Sequence, residues 1–109
     1  MTLTELNQIL TLTGYPVAYS HWLSTDKVKV PDPPYILFYV EGSDNFFADN
    51  LAYVKGSNVT VELYTSIKDL AAEEKLEELL DEHSISYESV ESWIDSEKLF
   101  LKSYEMGLI

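Results

Sequence analysis

The densest set of side chains able to do chemistry is acidic. Glu73, Glu74, Glu77, Glu78, Asp81 and Glu82 fall within ten consecutive positions. Paired carboxylates can move protons or hold Mg²⁺ through oxygen ligands, and either task needs them focused on one point. With 19 acidic residues in a chain of 109, some carboxylates lie close together by composition alone. No Asp-x-Asp cluster and no histidine–carboxylate pairing singles out a subset. The two histidines, His21 and His83, are distant in sequence and fall in different elements. His83 reads as a partner for the negative end of a helix, and His21 as a residue in or beside a sheet. The four glycines (14, 42, 56, 107) are isolated, so no phosphate-cradling loop is present. Gly-x-Ser-x-Gly and His-Glu-x-x-His are absent as well. The chain has no cysteine, which excludes disulfides, thiol nucleophiles and zinc sites built on thiolates. The expectation is a protein that is not an enzyme, with no cofactor and no metal.

Charge narrows the partners. The formal net charge is −12, and all seven basic residues are lysines. Arginine is the usual group for planar, two-pronged recognition of phosphates and bases, and none is present. Together with a pI near 4.3, this argues against direct nucleic-acid binding. An acidic surface suits solubility, a basic partner, or a wall past which DNA moves without sticking. The longest apolar run, Tyr35 to Val40, is far too short to span a bilayer. No basic start followed by a long apolar stretch opens the chain, so the expected place is a cytoplasm or a particle assembled in one.

The elements that would position these groups follow from periodicity. Leu3, Leu6, Ile9 and Leu10 recur at helical spacing over residues 2–13, with Thr2 or Thr4 as cap and Gly14 as stop. Residues 17–23 alternate as a strand, and Pro31, Pro33 and Pro34 mark a connector. Residues 35–41 are apolar on both faces, as in a covered central strand. A loop over 42–50, a short strand over 51–55 and an alternating strand over 58–65 come next. In the last of these, Val59, Val61 and Leu63 point inward and Thr60, Glu62 and Tyr64 outward. A second helix spans 69–83 with Asp69 as cap. Ala72, Leu76, Leu79, Leu80 and His83 form its apolar face, and Glu73, Glu74, Glu77, Glu78, Asp81 and Glu82 the opposite one. Strands over 86–94 and 98–106 form a hairpin turning at Asp95-Ser96-Glu97. The order α-β-β-β-β-α-β-β describes a single α+β domain over residues 1–109. Its sheet is largely antiparallel or mixed, with four to six strands and two helices.

Two surfaces are candidates for contact. The carboxylates of the second helix are either a plain solvated face or an electrostatic surface. In the loop Asp44-Asn45-Phe46-Phe47-Ala48-Asp49-Asn50, two adjacent phenylalanines in polar surroundings either fold back or anchor a neighbouring subunit. Phe46, Phe47 and Tyr53 are the candidate interface residues, and the apolar 106–109 segment packs on its own domain or on a partner.

The order of these segments resembles the small tail-completion, or tail-terminator, proteins of siphovirus-type bacteriophages and prophages. The likeness is carried by Pro34-Tyr35-Ile36-Leu37-Phe38-Tyr39-Val40, the Ser43-Asp44-Asn45-Phe46-Phe47-Ala48-Asp49 loop, Tyr53-Val54-Lys55 and Val61-Glu62-Leu63-Tyr64-Thr65. The Glu73-Glu74-Lys75-Leu76-Glu77 helix and the Tyr87-Glu88 to Lys98-Leu99 hairpin extend it. It runs over about residues 3–105 and rests on segment order, since no single motif is diagnostic. It implies a fold similar to the lambda-like tail terminator and a structural virion protein at the head–tail joint. Such proteins form a ring, commonly a hexamer, that caps the tail tube protein and meets a head-completion or connector protein. DNA is only passing cargo. The alternative from another class is an acidic DNA-mimic inhibitor that occupies a basic nucleic-acid-processing partner. An enzyme using paired carboxylates ranks last.

Overall fold

The computed structural model describes residues 1–22, 30–41 and 57–108. Helix α1 spans Leu3–Thr11. Thr2 caps it as half of a reciprocal box: its hydroxyl accepts from the Glu5 backbone N–H at 3.1 Å, and the Glu5 carboxylate accepts from the Thr2 N–H. Gly14 ends it at φ +84°, a left-handed conformation in which a side chain would be strained. Strands β1 (Val17–Tyr19), β2 (Tyr35–Val40) and β3 (Ser57–Thr65) follow. Helix α2 (Leu70–Glu82) leads to β4 (Tyr87–Ile94) and β5 (Leu99–Leu108). Asp69 caps α2 by accepting from the Ala72 N–H at 3.0 Å.

The strands form one five-stranded mixed sheet in the order β1-β2-β3-β5-β4. Only β1 and β2 are parallel; the other three pairs are antiparallel. The described residues thus form an α+β fold with two helices over a mixed sheet, as the pattern predicts. The first strand is shorter than expected. It stops at Tyr19 because Ser20 turns to φ 69°, which leaves His21 and Trp22 beyond the ladder. The strand expected over 51–55 lies outside the described residues, as do Phe46, Phe47 and Tyr53.

Strand alternation divides the sheet into two sides. Ile36 and Phe38 of β2, Val59, Val61 and Leu63 of β3, and Tyr104 and Met106 of β5 point at the helices. They close a core with Leu6, Ile9 and Leu10 of α1 and with Ala72, Leu76 and Leu80 of α2. Each fully buried leucine of this set contributes about 1.5–3 kcal/mol relative to its exposed state. Both helices lie on this one side. They therefore present every helical carboxylate either to this core or to the solvent above it.

Candidate interaction surfaces

Helix α2 splits its six acids. Glu74, Glu78, Asp81 and Glu82 are exposed, but Glu73 is only 4% exposed and Glu77 is half-buried. This corrects the expectation of a continuous outward acidic face. Glu73 lies three and seven positions before Leu76 and Leu80, so it shares their stripe and points at the sheet. A buried carboxylate is tolerated only with partners, and two lysines supply them. Glu73 Oε1 accepts from Lys68 Nζ at 2.9 Å and from Lys102 Nζ at 3.1 Å, whereas its Oε2 has no hydrogen-bond partner. Lys102 reaches this point because it alternates in phase with Tyr104 and Met106 on β5. It also donates to Glu77 Oε2 at 3.1 Å, where the wholly buried Tyr104 hydroxyl donates at 2.7 Å. Lys68 bonds Glu91 of β4 as well, which carries the network to the sheet edge.

Electrostatic shifts follow this wiring. Burial pushes Glu77 up, but hydrogen bonds from Tyr104 and Lys102 outweigh it and hold the carboxyl below its ordinary value. Burial pulls Lys102 down, but Glu77 and Glu73 outweigh that and raise it. Burial and the Glu77 carboxylate both raise Tyr104, so it stays a donor. The network sets two ammonium groups among three carboxylates, and its geometry is that of a strut between helix and sheet.

The outward carboxylates have a different character. Glu74, Glu78 and Glu82 follow one another at i,i+4, and no ion pair reaches them or Asp81 among the described residues. His83 is exposed and off the apolar face on which it was expected. Its Nδ1 donates to the Leu79 carbonyl at 2.9 Å, which also accepts from the His83 backbone N–H. His21 is also exposed; its ring hydrogen-bonds the neighbouring Ser20 hydroxyl and its backbone N–H donates to the Tyr19 carbonyl.

The sheet side away from the helices holds groups that the sequence reading did not assemble. Its cross-strand rows run Tyr35–Tyr64–Leu101–Ser92, Leu37–Glu62–Ser103–Val90 and Tyr39–Thr60–Glu105–Glu88. Glu62 accepts from the Tyr64 hydroxyl at 2.9 Å and from the Tyr39 hydroxyl at 3.4 Å. Tyr35 stacks on Tyr64 with centroids 5.0 Å apart. Burial, followed by the Glu62 carboxylate, raises Tyr64 well above the ordinary phenol value. Thr60, expected outward in the solvent sense, is buried, and its hydroxyl donates to Glu41 at 2.6 Å. Glu88 and Glu105 stand directly opposite each other in the ladder, an arrangement of like charges that costs stability. Glu41, Glu88 and Glu105 line a cleft of about 460 Å³ at this end of the sheet. No strand residue in these rows is a lysine, so the lysines of the network and the carboxylates of this side are segregated by the sheet. Alternation over 58–65 and 99–108 was the signal available for it. The pairing of distant strands, which brings Glu88 to Glu105 and Tyr39 to Glu62, was not.

Among the described residues, no group of three or more histidine or acidic side chains is placed to hold a metal ion. No described helix is long and apolar enough to cross a membrane. Comparison with family models, with characterised proteins and with solved structures finds no match.

Proposed function

We propose that this chain is a structural virion protein of a long-tailed phage. It would cap the tail tube as a ring and present a docking surface for the head-completion or connector protein. The observation that carries this reading is the sorting of charge. The inward acids of α2 bond Lys68 and Lys102, while no ion pair reaches Glu74, Glu78, Asp81 or Glu82 on its outer side among the described residues. A set of outward carboxylates on a stiff, tertiary-packed helix suits a surface that DNA must pass without adhering, or one that meets a basic neighbour. The segment order that resembles tail-terminator proteins supplies the rest of the reading. The ring, the hexamer and the placement of α2 toward the lumen belong to the proposal, as does location in the virion.

Titration of the purified chain into polymerising tube protein, followed by negative-stain imaging, tests it. The expected result is shorter tubes with a discrete ring at one end. Tube lengths that do not change at any ratio would sink the reading. The fourfold variant Glu74→Lys, Glu78→Lys, Asp81→Lys, Glu82→Lys should fold normally and still lower infectivity.

One observation favours the second reading, an acidic nucleic-acid mimic that binds a basic DNA-processing enzyme. Carboxylates lie on both sides of the domain, with Glu62, Glu88 and Glu105 on the sheet side opposite α2. Tight binding to such an enzyme that weakens steeply with salt would support it. A chain that only caps tubes would exclude it.

A further inference from the structure

Strand β4 is an edge strand of eight residues, with β5 as its only ladder partner among the described residues. The opposite edge, β1, has three residues. No described strand pairs with the outer edge of β4, where Val90 is 63% exposed and Trp93 is 50% exposed. Half of its backbone N–H and C=O groups point away from β5, which makes it a template for another strand.

The side-chain order of β4 selects the strand that fits. Reading Tyr87-Glu88-Ser89-Val90-Glu91-Ser92-Trp93 outward from Val90 gives glutamate or serine, then serine or glutamate, then an aromatic, in both directions. If a second β4 runs antiparallel and Val90 faces its own copy, Ser89 faces Glu91, Glu88 faces Ser92, and Tyr87 faces Trp93. Every position meets a compatible partner. The two aromatic pairs and the Val–Val pair are of the kinds that stabilise antiparallel ladders, and no like charges meet. Only registers that keep outward-pointing backbone groups together are allowed, so the centre of symmetry must fall on a residue. Centring on Glu88 or Glu91 sets glutamate against glutamate. Centring on Ser89 sets Tyr87 against Glu91 and Glu88 against Val90, and centring on Ser92 moves the pairing into the turn. The Val90 register is the longest one free of like-charge pairs.

We propose that β4 is a homodimerisation edge: two copies of this chain join by antiparallel β4–β4 pairing about a two-fold axis through Val90, forming one continuous sheet. The contact is isologous, with the same residues on both copies. Both copies keep their helices on the same side of the joint sheet. Each copy carries a net charge of −12, so long-range repulsion opposes the pairing and added salt strengthens it. The pairing belongs to the free protein and does not depend on the ring reading, which tube capping reports separately.

The native absence of cysteine makes the test direct. Residues that face each other in antiparallel strands have Cα atoms roughly 4.5–5.5 Å apart. That separation is within disulfide reach. Val90→Cys should therefore convert most of the full-length chain to a covalent dimer under mild oxidation. Ser92→Cys faces position 88, lies roughly 13 Å from its own copy, and should give little. Sedimentation of the wild-type chain should show dimers whose dissociation constant falls as salt rises. A wild-type chain that stays monomeric at every concentration and salt level overturns the proposal. So does cross-linking that is equal at positions 90 and 92. Head-to-tail rings of the free protein in which Val90→Cys stays unlinked would also overturn it, while leaving the tail-capping reading standing.

Discussion

The Tyr104 hydroxyl, on a ring with no exposed surface, donates to Glu77 Oε2 at 2.7 Å. This bond ties the middle of α2 to the middle of β5. Tyr104→Phe removes the donor and keeps the ring, so the core packing survives. Hydrogen bonds to charged groups contribute about 1.5–3 kcal/mol, and partial exposure of Glu77 places this one near the low end. Urea unfolding should show a lower midpoint with an unchanged slope.

The same carboxylate gives stability a pH dependence of known sign. Glu77 in the folded state lies below its ordinary value of 4.5, so its contribution is complete above that value. The contribution is lost as pH falls through the lower folded value. Lys102 is raised above its ordinary 10.5, so its contribution is complete below that value and is lost as pH rises through the folded one. Urea midpoints of wild type and Glu77→Gln should differ at pH 7 and converge in acid. A gap that persists at pH 2 would show that the ionised form is not what matters.

Lys102 is the cation shared by Glu73 and Glu77, and its side chain is 14% exposed. Lys102→Met leaves Glu73 with Lys68 alone and should destabilise the fold by about 3 kcal/mol, because an under-compensated buried charge remains. Adding Glu73→Leu removes that charge and should recover most of the loss. A double-mutant cycle measures the coupling, and additive losses would contradict the geometry.

The outer acids of α2 should behave in the opposite way. Glu82 lies in the last turn of the helix, which contains no basic residue, and follows Glu78 at i,i+4. Glu82→Lys replaces a like-charge pair with an attractive one and sets a cation at the negative end of the helix. Together these effects should raise stability by about 0.5–1 kcal/mol. Thermal unfolding at low salt checks this. A gain in stability paired with a loss of assembly in the fourfold variant would mark the face as functional.

Local chemistry was legible in the sequence where a short-range rule governs it. Thr2 and Glu5 as a capping box, Asp69 as a cap, Gly14 as a stop and the turn after Ile94 all depend on neighbours within a few positions. Residue type misled the reading at Glu73, which was assigned to solvent because it is acidic, although its spacing from Leu76 and Leu80 is that of the core. The complementary sign was present in β5, where Lys102 keeps phase with Tyr104 and Met106. A glutamate in phase with one apolar stripe and a lysine in phase with another together foretell an internal ion pair. The parallel β1–β2 pairing and the tyrosine set around Glu62 depend on contacts distant in sequence, and no local rule reports them.

The strand order also dictates when the fold can close. β5 comes after β4 in the chain yet lies inside it, between β4 and β3. A nascent chain emerging from the ribosome therefore carries β3 with a bare flank while α2 and β4 are made. In the sheet, β1, β2 and β3 meet the β4–β5 hairpin through the β3–β5 ladder, whose partners lie about forty residues apart, as in Val61 and Tyr104. Completion waits for one late strand to slot into the middle. Until it does, a chaperone or another nascent copy has access to the Val59–Leu63 backbone that ends as the centre of the sheet.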